Sequence, residues 1–306
     1  MAEYSLTFIA HGDSLSADNQ NTIDRFVASR LTLEVISKSE LSPNRVIDFT
    51  VSTDVPDVVK SLIQKEKEAS NPPYDVIFQE LRLRKSKKLF IFDMDSTLIY
   101  QEVIELIAAY ADIEDKVAEI TERAMNGELD FNASLRERVL LLKGIDATTL
   151  WDELKEKIQI TNGAKELCKV LKKLDVVMGV CSGGFIPLAS HVKDVLGLDY
   201  AYANTLGVDS ENKLDGTTIG YIVNGEKKAE LLLEIAAKHD IDPQDAVAVG
   251  DGANDLKMMS TGGWGVAWNA KPKVQKEAPC CLNTTSLQDI LYIMGYSDSQ
   301  INALLR

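Results

Sequence analysis

Two short acidic segments carry the residue types and spacing that chemistry on an anion requires. The first, FDMDSTL at residues 92–98, sets Asp93 and Asp95 two positions apart directly after an apolar run. On an extended chain, side chains at that spacing project to one side, so both carboxylates face the same crevice while Met94 turns away into packing. Two carboxylates ~4 Å apart repel by about 4 kcal/mol at an effective dielectric near 20, before any phosphate dianion joins them. A divalent cation is therefore needed, and Mg²⁺ suits oxygen ligands with a phosphate partner, using only one or two carboxylates. The second segment, GDGANDLKM at 250–258, puts Asp251 at a strand mouth with Asn254 and Asp255 in the following turn. Between the two, Ser182, Gly183 and Gly184 follow an apolar run and precede a helix, offering a hydroxyl and free N–H groups to a phosphate. Lys228 adds a point charge at the start of another helix.

Each piece also has an ordinary structural use: Asp-x-Asp before Ser or Thr caps a helix, Ser-Gly-Gly makes a turn, and Gly-Asp-Gly makes a loop. What favours chemistry is their combination beyond the strand ends of one sheet, where open α/β folds bind ligands.

The elements that must position these residues begin at Lys88. LFIF, VVMGVC (176–181), AVAVG (246–250) and the apolar stretch near 264–268 read as strands of a Rossmann-like α/β parallel sheet. Helices marked by Leu167, Cys168 and Leu171 and by Leu231, Leu232 and Ile235 alternate with them. Helical faces at Val103/Ile107, Leu135/Val139/Leu142 and Leu150/Leu154/Ile158 make residues 101–160 an inserted helical cap. Residues 201–223 read as a β-hairpin turning at Asp209–Asn212, and a closing helix carries Leu287, Ile290, Leu291 and Met294. The expected unit spans residues 86–306. Residues 1–85 read as βαββαβ, with strands at 4–10, 31–36, 46–51 and 76–83, and a second helix opened by Pro56. That order is the ferredoxin-like α+β unit, and the basic stretch RKSKK (84–88) ends it. His11 and Asp13 make no site by themselves, so the unit reads as a packing or dimerisation module, with a homodimer as the assembly it would serve.

The length of 306 residues fits two such units at ~150 residues per domain. Hydrophobic residues at 45% and charged residues at 26% exclude disorder, collagen and coiled coil. Thirty-three Lys and Arg against 47 Asp and Glu leave a net charge of −14, which repels nucleic acid and anionic lipid, so neither is an expected partner. Any phosphorylated ligand must then meet a local cluster of cations and N–H groups. Cys168, Cys181, Cys280 and Cys281 show no metal spacing and no disulfide framework, and the opening residues lack a signal-peptide pattern, so the expected location is the reducing cytoplasm. No apolar run approaches the ~20 residues that span a bilayer.

In chain order, FDMDSTL, Ser182 after its strand, Lys228 and GDGAND resemble the four motifs of the haloacid-dehalogenase superfamily. Residues 103–144 resemble the helical cap of its phosphoserine phosphatase family, and the likeness extends over about 86–296. The resemblance implies Asp93 as nucleophile and Asp95 as general acid and base. It implies Mg²⁺ held by Asp93, Asp251 and the backbone carbonyl of Asp95, with Asn254 and Asp255 supporting metal and phosphate. Ser182, Gly183 and Lys228 match phosphate-binding positions, Glu102 and Arg138 match those gripping the substrate's amino and carboxylate groups, and Met125 and Phe131 match apolar cap contacts. The implied reaction is hydrolysis of O-phosphoserine to serine and phosphate through an aspartyl-phosphate, the last step of serine biosynthesis. The alternative is a related phosphatase or phosphotransferase acting on another phospho-amino acid or small phosphate ester. Enzymes of this family often carry an N-terminal ACT-type domain, which implies serine binding at residues 1–85. Read from the residues alone, Glu102 and Arg138 are solvated charges on amphipathic helices, and Met125 and Phe131 are packing residues. Dehalogenation has no use for a proton donor two residues after the nucleophile, and intact Asp93, Asp95, Lys228 and Asp251 argue against a sensor that has lost catalysis.

Overall fold

The computed structural model describes residues 2–125 and 128–306, Met125 by its backbone only. An antiparallel sheet is built from β1 (Ala2–Ala10), β2 (Glu34–Ser42), β3 (Val46–Thr53) and β4 (Tyr74–Glu80) in the order β2-β3-β1-β4, accompanied by α1 (Ala17–Arg30) and α2 (Pro56–Ser70). This is the ferredoxin-like, ACT-like arrangement. Alternation decides its two faces: Tyr4, Leu6, Phe8 and Ala10 pack with Ile23, Phe26, Val27 and Val59 of the helices, whereas Ile9, Val46 and Ile77 join the core of the rest of the chain.

Edge strand β2 lies at 34–42 rather than 31–36, because it is polar and exposed along most of its length and carries little hydrophobic pattern. The last strand stops at Glu80, and Leu81–Leu83 form a 3-10 turn that leads Arg84 inward. The basic stretch 84–88, read as the end of the first unit, is partly interior: Arg84 and Lys87 are buried. Arg84 donates to both Asp48 oxygens at 2.8 and 2.9 Å, to Thr7 Oγ1, and to the carbonyls of Ile293 and Tyr292 at 3.1 and 3.0 Å. Nearby, Arg45 forks onto Asp289, and Asp75 accepts the backbone and side-chain N–H groups of Asn283. Arg84, Asp48, Asp289 and Asp75 are thus each paired where they are buried.

The second sheet comprises β5 (Leu89–Phe92), β6 (Val177–Phe185), β7 (Tyr200–Val208), β8 (Leu214–Ile219), β9 (Ala246–Gly250), β10 (Trp264–Trp268) and β11 (Cys280–Leu282), in the order β11-β10-β9-β5-β6-β7-β8. It is parallel except for β8, which returns antiparallel to β7. Between β5 and β6 run α3 (Val103–Tyr110), α4 (Glu114–Met125), α5 (Phe131–Leu140), α6 (Ala147–Lys157) and α7 (Ala164–Lys173), the first four forming the cap. The later helices are α8 (Ile186–Leu196), α9 (Gly225–Lys238), α10 (Leu256–Thr261), α11 (Pro272–Glu277), α12 (Ile290–Ile293) and α13 (Asp298–Leu305). β5 is buried on both faces: Phe90 and Phe92 pack with Leu167 and Leu188 on one side, Leu89 and Ile91 with Leu231 and Met258 on the other. That double burial explains its continuous apolar run.

The Ser-Gly-Gly turn expected at 182–184 is instead extended chain with a break in register between Cys181 and Phe185. The closing helix is short, with a 3-10 turn at Leu287–Asp289 before α12 and an end at Gly295, whose φ of 84° suits glycine. Among the described residues no helix is long and apolar enough to cross a membrane, and all four cysteines are free and buried.

Candidate active site

Register brings the acidic loops together. Phe92 lies opposite Val180 of β6 and Val249 of β9, so the chain leaves all three strands at one level, carrying Asp93, Ser182 and Asp251 to one edge. Because β6 and β9 flank β5 and lead in opposite directions along the sheet, the crevice opens at this switch point.

At the end of β5, Asp93 caps the next turn: its Oδ1 accepts from Met94 N–H at 2.8 Å and from Lys228 Nζ at 2.7 Å. Oδ2 is left without a protein hydrogen bond among the described residues. Met94 is fully buried, turned into the core as its spacing predicts. Lys228, in the first turns of α9, is wholly buried, and its ammonium also donates to Asp255 Oδ1 at 2.6 Å. Burial opposes that charge, but Asp255 and Asp93 outweigh it and raise the lysine pKa above that of a free side chain. Asp255 is fixed further by Gly252 N–H at 3.0 Å. Gly250 makes room for it, since a Cβ there would lie 2.4 Å from Asp255 Oδ2.

Asp95 follows in the wide turn Met94–Leu98. Its Oδ2 accepts from Val103 N–H at 3.2 Å, while Oδ1 is shut from solvent and has no partner among the described residues. Burial, then the charges of Asp93 and Glu102, push its pKa well above the usual carboxylate range. A carboxyl so raised holds its proton to higher pH than a free one, which suits it to act as an acid. Asp251 accepts from the Thr97 hydroxyl at 3.3 Å and is pushed up to about 7, chiefly by burial and next by Asp93. Oxygens of Asp93, Asp251 and Asp255 can all lie within 4.8 Å of one another. Such an all-oxygen set, with two carboxylates raised or crowded by like charge, fits a hard divalent cation.

The cap closes over these groups, and a cavity of about 820 Å³ separates it from the sheet. Asp93, Asp95, Glu102, Phe131, Arg138, Gly183, Asp251 and Asn254 all line it. Ser182, Lys228 and Asp255 stand behind the wall: the Ser182 hydroxyl is buried and accepts from Gly184 N–H at 2.8 Å. Phe131, the first residue of α5 after the capping Asp130, sits against Gly183, where a Cβ would come within 2.9 Å of the ring. Met125 ends α4, and its side chain lies outside the described residues. Glu102 and Arg138 are not the solvated charges that helical periodicity suggests. Glu102 Oε1 accepts from the Ser96 hydroxyl at 2.6 Å, and burial raises its pKa. Arg138 Nε donates to Ser134 O at 3.2 Å, burial lowers its pKa, and its terminal nitrogens have no protein partner among the described residues.

Sequence reasoning missed three contributors. Lys271 and Lys273, after β10, line the cavity and supply the local cations that an acidic protein needs. Asn204 is wholly buried and ties the Gly183 carbonyl to Val223 N–H, both at 2.8 Å. A pair of basic residues beside Pro272 and a lone Asn in an apolar strand gave no local signal.

The sequence matches the haloacid dehalogenase-like hydrolase family over residues 87–263. Phosphoserine phosphatase of Saccharomyces cerevisiae is 48% identical over 309 residues, which cover 98% of this chain and 99% of that protein. The crystal structure of the probable phosphoserine phosphatase from Vibrio cholerae, unliganded form, is similar at a TM-score of 0.71 and 30% identity, over 96% of this chain and 86% of the other. A phospho-aspartyl intermediate analogue of phosphoserine phosphatase is similar at a TM-score of 0.62 and 42% identity, over 67% of this chain and 98% of the other.

Proposed function

The chain belongs to the haloacid dehalogenase-like hydrolase family, and from that premise we infer that it is a phosphoserine phosphatase, cleaving phosphoserine to serine and phosphate. The observation that carries this reading is a single cavity in which Asp93 and Asp95, whose buried carboxyl is raised above the usual range, face Glu102 and Arg138.

Each step follows from this reading. With Asp93 Oδ1 held by Lys228 and Met94 N–H, Oδ2 is the oxygen that attacks phosphorus in line. Asp95 gives its proton to the departing serine oxygen, and an aspartyl-phosphate forms on Asp93. Now ionised, Asp95 takes a proton from the water that attacks the phosphoenzyme, which restores both carboxyls. Lys228 holds Asp93 in place and offsets charge on the phosphoryl oxygens behind it. Mg²⁺ would be held by Asp93, Asp251 and the Asp95 carbonyl, with Asn254 and Asp255 in support, and when bound would neutralise the crowded carboxylates and the phosphoryl oxygens.

Recognition follows from the chemistry of an α-amino acid, which presents opposite charges a few ångströms apart. The Glu102 carboxylate suits the ammonium, and the unpaired guanidinium fork of Arg138 suits the carboxylate. Phe131 covers the carbon skeleton, and Met125 is assigned beside it. Ser182 takes up the Gly184 N–H and so shapes the loop that leaves the Gly183 N–H for the phosphate. The same reading places the protein in the cytoplasm, where four free cysteines persist. It gives residues 1–85 serine as a ligand and homodimerisation as a role; the exposed edge of β2, with Val35 and Ile36 outward, supports pairing.

The test is phosphate release from a panel of phospho-amino acids and sugar phosphates, with Mg²⁺ and with chelator. Phosphoserine should lead the panel and chelator should abolish release; equal rates on sugar phosphates would overturn the substrate assignment.

A further inference from the structure

The turn that carries Asp95 also grips the start of the cap. Asp95 Oδ2 accepts from Val103 N–H at 3.2 Å, Ser96 N–H donates to Gln101 O at 3.2 Å, and the Ser96 hydroxyl donates to Glu102 Oε1 at 2.6 Å. Three bonds from two adjacent residues therefore hold residues 101–103, and only the last reaches a side chain of that segment, Glu102, which lines the cavity. Ser96 sits at φ 54° and ψ 9°, the left-handed region that a residue with a Cβ enters at a cost. Asn and Gly suit that backbone better, yet neither would place a hydroxyl here. Strain of this kind marks positions where a side chain is held for use.

Resting on the reading of Glu102 as the acceptor of the substrate ammonium, we propose that Ser96 is a positioning residue for substrate selection, its hydroxyl fixing Glu102 so that Oε2 is presented to the amino group at a set distance from Asp95. Glu102 has three rotatable side-chain bonds, and one short bond to Oε1 removes most of that freedom before substrate arrives. The acid that protonates the leaving oxygen and the carboxylate that reads the ammonium then hang from neighbouring residues of one turn, so their separation is set before substrate binds. The Ser96 bond also counters the upward push that burial exerts on the Glu102 carboxyl.

The experiment compares KM and kcat for phosphoserine and for an aryl phosphate, which lacks an amino group, in Ser96→Ala, Ser96→Gly, Glu102→Gln and the double variant Ser96→Ala/Glu102→Gln. Losing a hydrogen bond to a charged group should raise KM for phosphoserine relative to the aryl phosphate roughly tenfold in both Ser96 variants, with kcat within about twofold. Little should be added in the Glu102→Gln background. Ser96→Gly relieves the backbone strain while also removing the hydroxyl, so a penalty in Ser96→Ala that vanishes in Ser96→Gly would assign the effect to strain and overturn the proposal. So would a phosphoserine preference unmoved in both Ser96 variants while Glu102→Gln lowers it. If Glu102→Gln itself leaves the preference intact, the assignment of Glu102 fails, and the role of Ser96 fails with it.

Discussion

Replacing Lys228 with methionine tests the electrostatics of the site more directly than any other change. The side chain is wholly buried and bridges Asp93 at 2.7 Å and Asp255 at 2.6 Å, with an Asp251 oxygen within 4.8 Å of theirs. Methionine fills similar volume and removes the charge, leaving three carboxylates in one small space. At 4.8 Å and an effective dielectric near 20, each like-charged pair repels by about 3.5 kcal/mol. Breaking a buried ion pair from one side costs about 3–5 kcal/mol in general. A loss of that size lowers the midpoint of thermal unfolding by roughly 6–20 °C. Thermal melts with chelator should show this drop, and millimolar Mg²⁺ should recover part of it by binding the folded state. Turnover should be lost even where folding is recovered, because Asp93 Oδ1 loses its ammonium partner and keeps only the Met94 N–H. A midpoint within about 3 °C of the parent in chelator would refute the account of Lys228 as the neutraliser of this cluster.

Asp93→Asn should abolish phosphate release while far-ultraviolet circular dichroism stays that of the parent, since an amide is a poor nucleophile; full activity in the purified variant would remove Asp93 from that role. Arg138→Ala should lower kcat/KM for phosphoserine at least tenfold more than for an aryl phosphate, the loss expected for a charge-assisted contact; equal losses on both would mean that Arg138 does not read the carboxylate. In chelator, the Asp251 carboxyl holds its proton up to about 7 against an ordinary value of 3.8. The folded state therefore binds more protons than the unfolded chain across that window, and stability falls as pH rises from about 4 to about 7, by about 4 kcal/mol from this group. Melts at about pH 5 and pH 7.5 should show a shallower decline in Asp251→Asn than in the parent, and equal declines would sink the assignment.

Two of the acidic groups at the cavity were legible because Asp93 and Asp251 each stand one step beyond an apolar strand, where hydropathy pattern and chemical type change together. Asp93 after LFIF and Asp251 after AVAVG both carry that signature, and sheet register converts it into proximity. Glu102 and Arg138 were legible only through resemblance. Helical periodicity assigns polar residues to solvent and has no means of knowing that the outer face of one helix looks across a cavity at a sheet edge. Arg84 misled for the converse reason: within a run of five basic and polar residues nothing distinguishes the one whose donors are all used inside. Lys271 and Asn204 depend on which loops face each other over long chain separations, a property of assembly that local spacing does not encode.

The buried guanidinium of Arg84 has a consequence for how the chain can be divided. Cutting after residue 85 would carry Arg84 away with the ferredoxin-like piece while its two carbonyl acceptors, on Tyr292 and Ile293, stayed behind with the catalytic piece. Each fragment would then expose a polar wound: donors without acceptors on one, and on the other an Ile293 oxygen that has lost both Arg84 and Gln79. The amino-terminal lobe is accordingly fastened to the frame like a keystone rather than hung from a tether, and a signal reaching it would have to travel as a tilt of the whole joint.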